Sequence, residues 1–258
     1  LVKLTTAPPP ANLPPVKFAM MARTYLRERG ASVAEMAAVA VKNHGNAALN
    51  PFAQFRKPRT LEQVLASPRV VGDLTVQQCT PRGEGAAAVL LVSGHALKRL
   101  GLDARRCVRV HASVAGSDRE ETACGDAATE LVRSSANAAC EQAGIAPTEL
   151  NLLELHDAFS IEELLYTEAI GICEPGEGAQ YLARGDSQIG GRCAVNASGG
   201  LIGMGHPLGP TGIGQIAEIT RQLRGEATGR QHPNARWAMA HMIGLGSVSI
   251  AHVLSTAN

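Results

Sequence analysis

Three short segments bring together residue types that could do chemistry. His156-Asp157-Ala158-Phe159 follows the apolar run 152–155. The stretch Asn196-Ala197-Ser198-Gly199-Gly200-Leu201-Ile202-Gly203-Met204-Gly205-His206-Pro207-Leu208-Gly209-Pro210-Thr211-Gly212 continues the apolar run that precedes it, and His241-Met242-Ile243-Gly244-Leu245-Gly246-Ser247 follows 237–240. Each lies just after a segment expected as strand, where loops of sheet-based enzymes converge on a ligand. His206 is set among glycines that let backbone approach a ligand closely. Pro207 restricts its backbone away from the helical region, and the loop runs into a helix N-terminus at Thr211, where the dipole favours negative charge. A histidine so held can activate a nucleophile and donate to a developing oxyanion. A glycine-rich phosphate loop with an incidental histidine would look similar, because such patterns alone are weak.

Several neighbours have plainer explanations. His156 could be a strand-end histidine bonded to backbone, and burial keeps such rings neutral. Asp157 is expected to point away from the site and cap a helix starting near Ser160. Tyr166 fits a core position, and His241 a structural one. His44, His95, His111, His232 and His252 share no metal-ligand spacing. Cys79, Cys107, Cys124, Cys140, Cys173 and Cys193 contain no CxxC pair and fit reduced thiols better than a disulfide framework.

The elements that must position these groups follow from periodicity. Prolines within 7–15 forbid regular structure at the opening, after which Phe18, Met21, Tyr25 and Leu26 recur at helical spacing up to Gly30. A helix is expected over 32–43, with Ser32 as N-cap and Glu35 as its capping-box partner, and a loop over 50–55. From residue 70 onward strand and helix alternate. The apolar run 85–93 fits a strand covered on both faces, 96–100 a short helix and 108–114 a strand. Asp126 is expected to cap a helix that ends at Gly144 and turns Leu131, Ser135, Ala138, Ala139 and Gln142 inward. Strands over 152–155, 194–196, 237–240 and 248–254, and helices over 161–170 and 211–224, complete the pattern. The last helix is expected to bury Ile213, Ile216, Ala217, Thr220 and Leu223. This alternation implies an α/β layered fold with helices on both faces of a central sheet.

Composition removes some functions. Lys plus Arg number 24 against 23 Asp plus Glu, which leaves no basic surplus to neutralise phosphates, and aromatics at 3% offer few stacking platforms, so no nucleic acid is expected as partner. The longest apolar run, 86–92, is too short to cross a bilayer and nothing resembles a signal peptide; the expected setting is cytoplasmic, with no membrane partner. The chain opens on Leu1 rather than Met, as expected of a processed or truncated polypeptide.

The run 196–212 closely resembles the thiolase signature that carries the catalytic histidine. His156-Asp157-Ala158-Phe159 resembles the His-Asp-Cys-Phe motif of thiolases of the sterol-carrier-protein-2 type, and 241–247 resembles their closing glycine loop. Cys79-Thr80-Pro81 with Gly85-Ala86-Ala87-Ala88, and Leu223-Arg224-Gly225-Glu226-Ala227, extend the similarity over nearly the whole chain. The resemblance implies a thiolase-like fold with a mixed five-stranded sheet. Residues 1–65 would be the helical loop region of the N-terminal half, 66–105 the last strand and helix of that half, and 106–258 the thiolase C-terminal domain. It implies acyl-CoA acyltransfer, or the related making or breaking of a carbon–carbon bond on acyl-CoA thioesters. Coenzyme A thioester would be the substrate, with no metal or other cofactor. His206 would activate a nucleophilic cysteine and help bind the thioester oxygen; His156 would complete that oxyanion site, directly or through water. The backbone N–H of Gly244 would serve a second oxyanion site, with Ser198, Met242, Ala158, Phe159 and Thr80 around the substrate. The implied partners are acyl-CoA, a second copy or a nucleophile-bearing half, and, as in some proteins of this type, a small OB-fold subunit.

Three departures from the family pattern constrain the mechanism. The family's nucleophilic cysteine lies in its N-terminal half, and no segment here matches it; either another segment or polypeptide carries it, or this chain is not acylated. Met242 stands where ordinary thiolases keep a closing-loop cysteine, and Ala158 where the sterol-carrier type keeps its own. Neither side chain exchanges protons. Condensation of two acetyl-CoA units is then hard to run, whereas decarboxylative condensation, transfer to another acceptor and retro-aldol cleavage of a 3-hydroxyacyl-CoA stay open. A non-catalytic thiolase-like subunit that binds CoA ligands or a partner protein is the alternative from a different class. By itself the chain is expected to expose sheet edge and apolar helix faces.

Overall fold

The computed structural model describes residues 13–117, 127–244 and 248–257. Two short strands, β1 (Arg69–Val71) and β2 (Leu74–Thr75), form an antiparallel ribbon. The main sheet contains β3 (Val108–Ser117), β4 (Leu152–Glu154), β5 (Ala194–Val195), β6 (Trp237–Gly244) and β7 (Val248–Thr256), in the order β3-β7-β6-β4-β5. β7 runs antiparallel to both of its neighbours, while β4 lies parallel between β6 and β5. The mixed five-stranded sheet is therefore present. Every residue of β4 is buried, as a parallel strand covered on both faces requires. Along β6 the alternation of a strand divides Met239 and Ile243, facing one core, from Ala238 and Ala240, facing the other.

Nine α-helices occur among the described residues: α1 (Leu13–Arg29), α2 (Val33–Ala48), α3 (Leu61–Leu65), α4 (Gly94–Arg99), α5 (Ala127–Ala143), α6 (Ser160–Ile170), α7 (Gly178–Ala183), α8 (Gly200–Met204) and α9 (Thr211–Leu223). Val132, Ala136, Tyr166 and Ile170 of α5 and α6 share one core with the sheet, and Ile219 and Leu223 of α9 share the opposite one. Phe18, Tyr25, Met36 and Leu164 join α1, α2 and α6 in a third. Ser32 caps α2 as expected, its hydroxyl accepting from Glu35 N–H while the Glu35 carboxylate accepts from Ser32 N–H. Among the described residues no helix is long and apolar enough to cross a membrane.

Several expectations need correction. Residues 81–92 carry no regular secondary structure, and Leu90 and Leu91 are 84% and 81% exposed. The run 85–93 is apolar enough for a buried strand, but it pairs with no strand among the described residues, and composition without a hydrogen-bonded neighbour makes no sheet. Pro14 and Pro15 sit in the first turn of α1, where a missing N–H costs no helical bond; Pro8, Pro9 and Pro10 lie outside the described residues. α2 continues past Asn43 to Ala48, because its polar residues there are buried partners of the sheet loops, not an exposed end. α5 turns Ala128, Val132, Ala136 and Cys140 inward beside Leu131, Ser135 and Ala139, leaving Ala138 and Gln142 exposed. The Asp126 cap falls outside the described residues, and Gly144, with φ of 71°, follows the end of α5.

The largest surprise is α9. Its buried face is Thr211, Gln215, Glu218, Ile219, Gln222 and Leu223, whereas Ile213 is exposed. Glu218 accepts two hydrogen bonds from the Arg230 guanidinium, at 2.8 and 2.7 Å, and Gln222 bonds Arg230 O and His232 N–H. These bonds satisfy the buried polar groups and turn the helix away from the rotation that its apolar residues alone would choose.

Candidate active site

β4 and β5 are adjacent and parallel, so the loops leaving their carboxyl ends emerge side by side. The first carries His156 and the second His206, and their rings meet edge to face with centroids 5.3 Å apart. His156 is buried, its Nδ1 2.8 Å from Oε1 of the fully buried Glu162. The other oxygen of Glu162 accepts Phe159 N–H at 2.9 Å, at the start of α6.

His206 is held differently. Its Nδ1 lies 2.9 Å from the Thr211 hydroxyl oxygen, and that hydroxyl donates to Pro207 O at 2.6 Å. A hydroxyl has one proton to give, so Thr211 accepts from His206 Nδ1–H, and the lone pair of the neutral ring lies on Nε2. Burial, and then the neighbouring His156, push the His206 imidazole down to about 4. At neutral pH it is an uncharged base.

Buried polar groups fasten both loops. Asn196 adopts a left-handed backbone, φ 55°, and its Oδ1 accepts Leu155 N–H at 2.9 Å, tying the β5 loop to the β4 loop. From α2 and the turn after it, Asn46 donates to Asn196 O and Asn50 to Ser198 O. Lys42 donates to Val195 O at 2.6 Å and pairs with Glu163 at 3.1 Å. Gly199 has φ of 103°, and a Cβ there would lie 2.5 Å from Ala47 Cβ, so the close approach of α8 to α2 requires glycine.

The remaining sequence candidates separate into groups. Asp157 does not cap α6. Its Oδ1 accepts Leu201 N–H at the start of α8, and its Oδ2 accepts from Asn43. Burial, and then Glu163, hold its carboxyl well above the usual range. The charged-group pattern of the first turn of α6 is met by Glu162 instead. Ser198 is fully buried, its hydroxyl 2.5 Å from Glu154 Oε2, so it braces the loop from inside. Thr80 donates its N–H to Ala158 O and its hydroxyl to Leu201 O, joining the two loops. Ala158 and Phe159 are buried in the α1–α2–α6 core, where Phe159 stacks on Phe18 at 4.7 Å. Met242 is half-buried near Gly212, where a Cβ would lie 3.5 Å from its Cγ. Gly244 ends β6 opposite Val248, and 245–247 lie outside the described residues.

His241 is fully buried, with Nε2 3.2 Å from the Ser249 hydroxyl. Cys79 donates its thiol to Thr75 O, and burial pushes it up to about 12, too high for a ready thiolate. No cluster of metal-ligand type occurs among the described residues. Behind the His206 loop lies a cavity of about 570 Å³ lined by Phe52, Gly85, Pro207, Thr211 and Arg221, a size that suits a small organic ligand. Glu162, Lys42 and Glu154 were not singled out from sequence, and Thr211 only as the start of a helix; Glu162 stands three residues after Phe159, the spacing of a helix N-terminal acid.

Two histidines on loops from neighbouring parallel strands, within a mixed α/β sheet, define a thiolase-type C-terminal half. The family described as Thiolase C-terminal domain-like matches residues 114–256, and the chain belongs to it. It is 37% identical over 241 residues to sterol carrier protein 2 of Oryctolagus cuniculus, covering 92% of this chain and 44% of that protein. It is 40% identical over 235 residues to the benzoylsuccinyl-CoA thiolase subunit BbsB of Thauera aromatica, covering 89% of this chain and 60% of that one. The structure of an Ltp2-ChsH2(DUF35) aldolase superposes with a TM-score of 0.83 at 25% identity, over 96% of this chain and 64% of the other. The chain thus spans roughly half the length of the curated relatives it matches.

Proposed function

We propose that this chain is the histidine-bearing part of a thiolase-superfamily enzyme that breaks or makes a carbon–carbon bond on an acyl-CoA thioester. The observation that carries this is the facing pair of imidazoles, each anchored through Nδ1. Residues 1–65, 66–105 and 106–258 would be the helical loop region, the end of the N-terminal half and the C-terminal domain. On a 3-hydroxyacyl-CoA, His206 Nε2 takes the hydroxyl proton and the C2–C3 electron pair moves onto the thioester. His156 donates a hydrogen bond to the enolate oxygen, and the proton on His206 returns to C2. A carbonyl compound and a shortened acyl-CoA leave. This retro-aldol course needs no acid/base at positions 158 or 242, where Ala158 and Met242 supply none. The likeness to an aldolase of this fold supports it.

Thiolytic acyl transfer is the second reading, supported by the relative named a thiolase subunit; it requires a cysteine brought by another segment or chain. The words "subunit" and "Ltp2-ChsH2" in those names favour a hetero-oligomeric enzyme with a companion subunit. The decisive assay gives the full-length protein, with any subunit that co-purifies, a 3-hydroxyacyl-CoA alone and a 3-oxoacyl-CoA with free CoA. Release of a carbonyl product from the first is the expected result. Turnover of only the second would replace retro-aldol cleavage by thiolysis. Turnover of neither, with CoA-ester binding retained, would make the chain a ligand-binding subunit.

A further inference from the structure

The proposed chemistry asks opposite things of the two histidines, a bare lone pair from one and a proton from the other. We propose that Glu162 is the positioning residue that makes His156 the donor of the pair, an inference that rests on the functional reading above. Both oxygens of this fully buried side chain are committed, one to His156 Nδ1 at 2.8 Å and one to Phe159 N–H at 2.9 Å. A carboxylate so held only accepts, so His156 keeps a proton on Nδ1. A proton on Nε2 as well would be balanced by the buried carboxylate beside the ring, the counter-charge that a buried cation needs.

The neighbouring acids are engaged elsewhere, Asp157 by Leu201 N–H and Asn43, and Glu163 by Lys42 and Asn43. His206 has only the neutral Thr211 hydroxyl behind it. Glu162 thus decides which ring can offer a charge-assisted Nε2–H to a developing oxyanion. The Phe159 N–H bond prevents the carboxylate from turning away, so the anchoring of α6 and the orientation of His156 are one arrangement.

Glu162→Gln tests this with nearly unchanged shape. A glutamine has one acceptor oxygen and cannot serve both N–H groups, so its amide faces His156 Nδ1 or Phe159 N–H donor to donor. The measurement is the long-range 1H–15N spectrum of the full chain labelled with 15N-histidine, the His156 signals being assigned by their loss in His156→Gln. Wild type is expected to carry a proton on His156 Nδ1, and Glu162→Gln to lose that proton, leaving Nε2–H at most a neutral donor without a counter-charge behind it. In the active full-length enzyme kcat is expected to fall at least about 100-fold, with KM little changed. A wild-type His156 unprotonated at Nδ1 would overturn the inference, and that spectrum needs no variant to fold. An unchanged tautomer or unchanged turnover in a folded Glu162→Gln would overturn it as well. If the wild type proves inactive, the functional reading fails, while the spectra still decide whether Glu162 sets the ring.

Discussion

The loop after β4 and the loop after β5 present the same side chain, yet they hold it by different chemistry. His156 has a fully buried carboxylate behind Nδ1, whereas His206 has a hydroxyl whose own proton is committed to Pro207 O. The first arrangement places a counter-charge beside the ring. The second leaves a neutral ring with a free lone pair, and burial pushes it to about 4. On the proposed reading, environment rather than residue type divides the work of acid and base, as it does where paired titratable groups are driven apart.

The largest blow to this comparison is removal of the base. His206→Ala in the full-length enzyme is expected to lower kcat about 10²- to 10⁴-fold. A smaller loss than that of Glu162→Gln would reverse the roles assigned to the two rings. The pH dependence carries the same test. A base works only when unprotonated, so with a pKa of about 4 the His206 limb lies near pH 4, and activity falls as pH falls through it. The folded-state value lies below that of an unfolded histidine, near 6.5, so the unfolded chain binds the extra proton between the two. Stability from this residue is therefore present above about pH 6.5 and is lost as pH falls toward 4. An acid limb in kcat/KM at the ordinary histidine value, absent in His206→Ala, would show that the site is wetter than its burial implies.

Thr211→Val sharpens the comparison from the other side, because it removes the hydroxyl and nearly keeps the shape. No charge is lost, only the bond that selects the Nδ1–H form and the hydroxyl's own bond to Pro207 O, so kcat should fall by about 10-fold, the order of one or two neutral hydrogen bonds. Steady-state turnover beside Glu162→Gln is the measurement. A loss equal to that of the carboxylate variant would erase the distinction between the anchors.

The parts legible in the sequence were those that depend on local order. The glycine pattern around His206, the strand that begins at Val108 and the Ser32–Glu35 cap are all contained in short windows. The polar interior was not legible, because a buried polar face looks like a solvated one to hydropathy. Asn43 and Asn46 on α2, and Asn50 in the turn after it, recur at spacings of three and four and reach Asp157, Asn196 and Ser198 far along the chain. Glu218 and Gln222 turned α9 for the same reason. The run 85–93 failed in the opposite sense: its residues suit a strand, but strand formation depends on a partner that its own window does not contain.

Ser198→Ala should affect activity least, because the strut it removes lies beneath both loops and touches neither ring. Its hydroxyl stands 2.5 Å from Glu154, and Ser198 N–H binds the other carboxyl oxygen at 3.0 Å. Burial, and then Glu218, push Glu154 up to about 8. The folded state therefore holds this proton between the ordinary glutamate value and 8, and the stability that it contributes is lost as pH rises through that window. Donors favour the charged form, so their removal hurts most where the carboxyl must ionise. Ser198→Ala should cost about 1–3 kcal/mol in urea unfolding, more at about pH 9 than at about pH 6. An equal cost at both would mean that Glu154 does not titrate between them, and that the support shared by the two histidine loops is insensitive to charge.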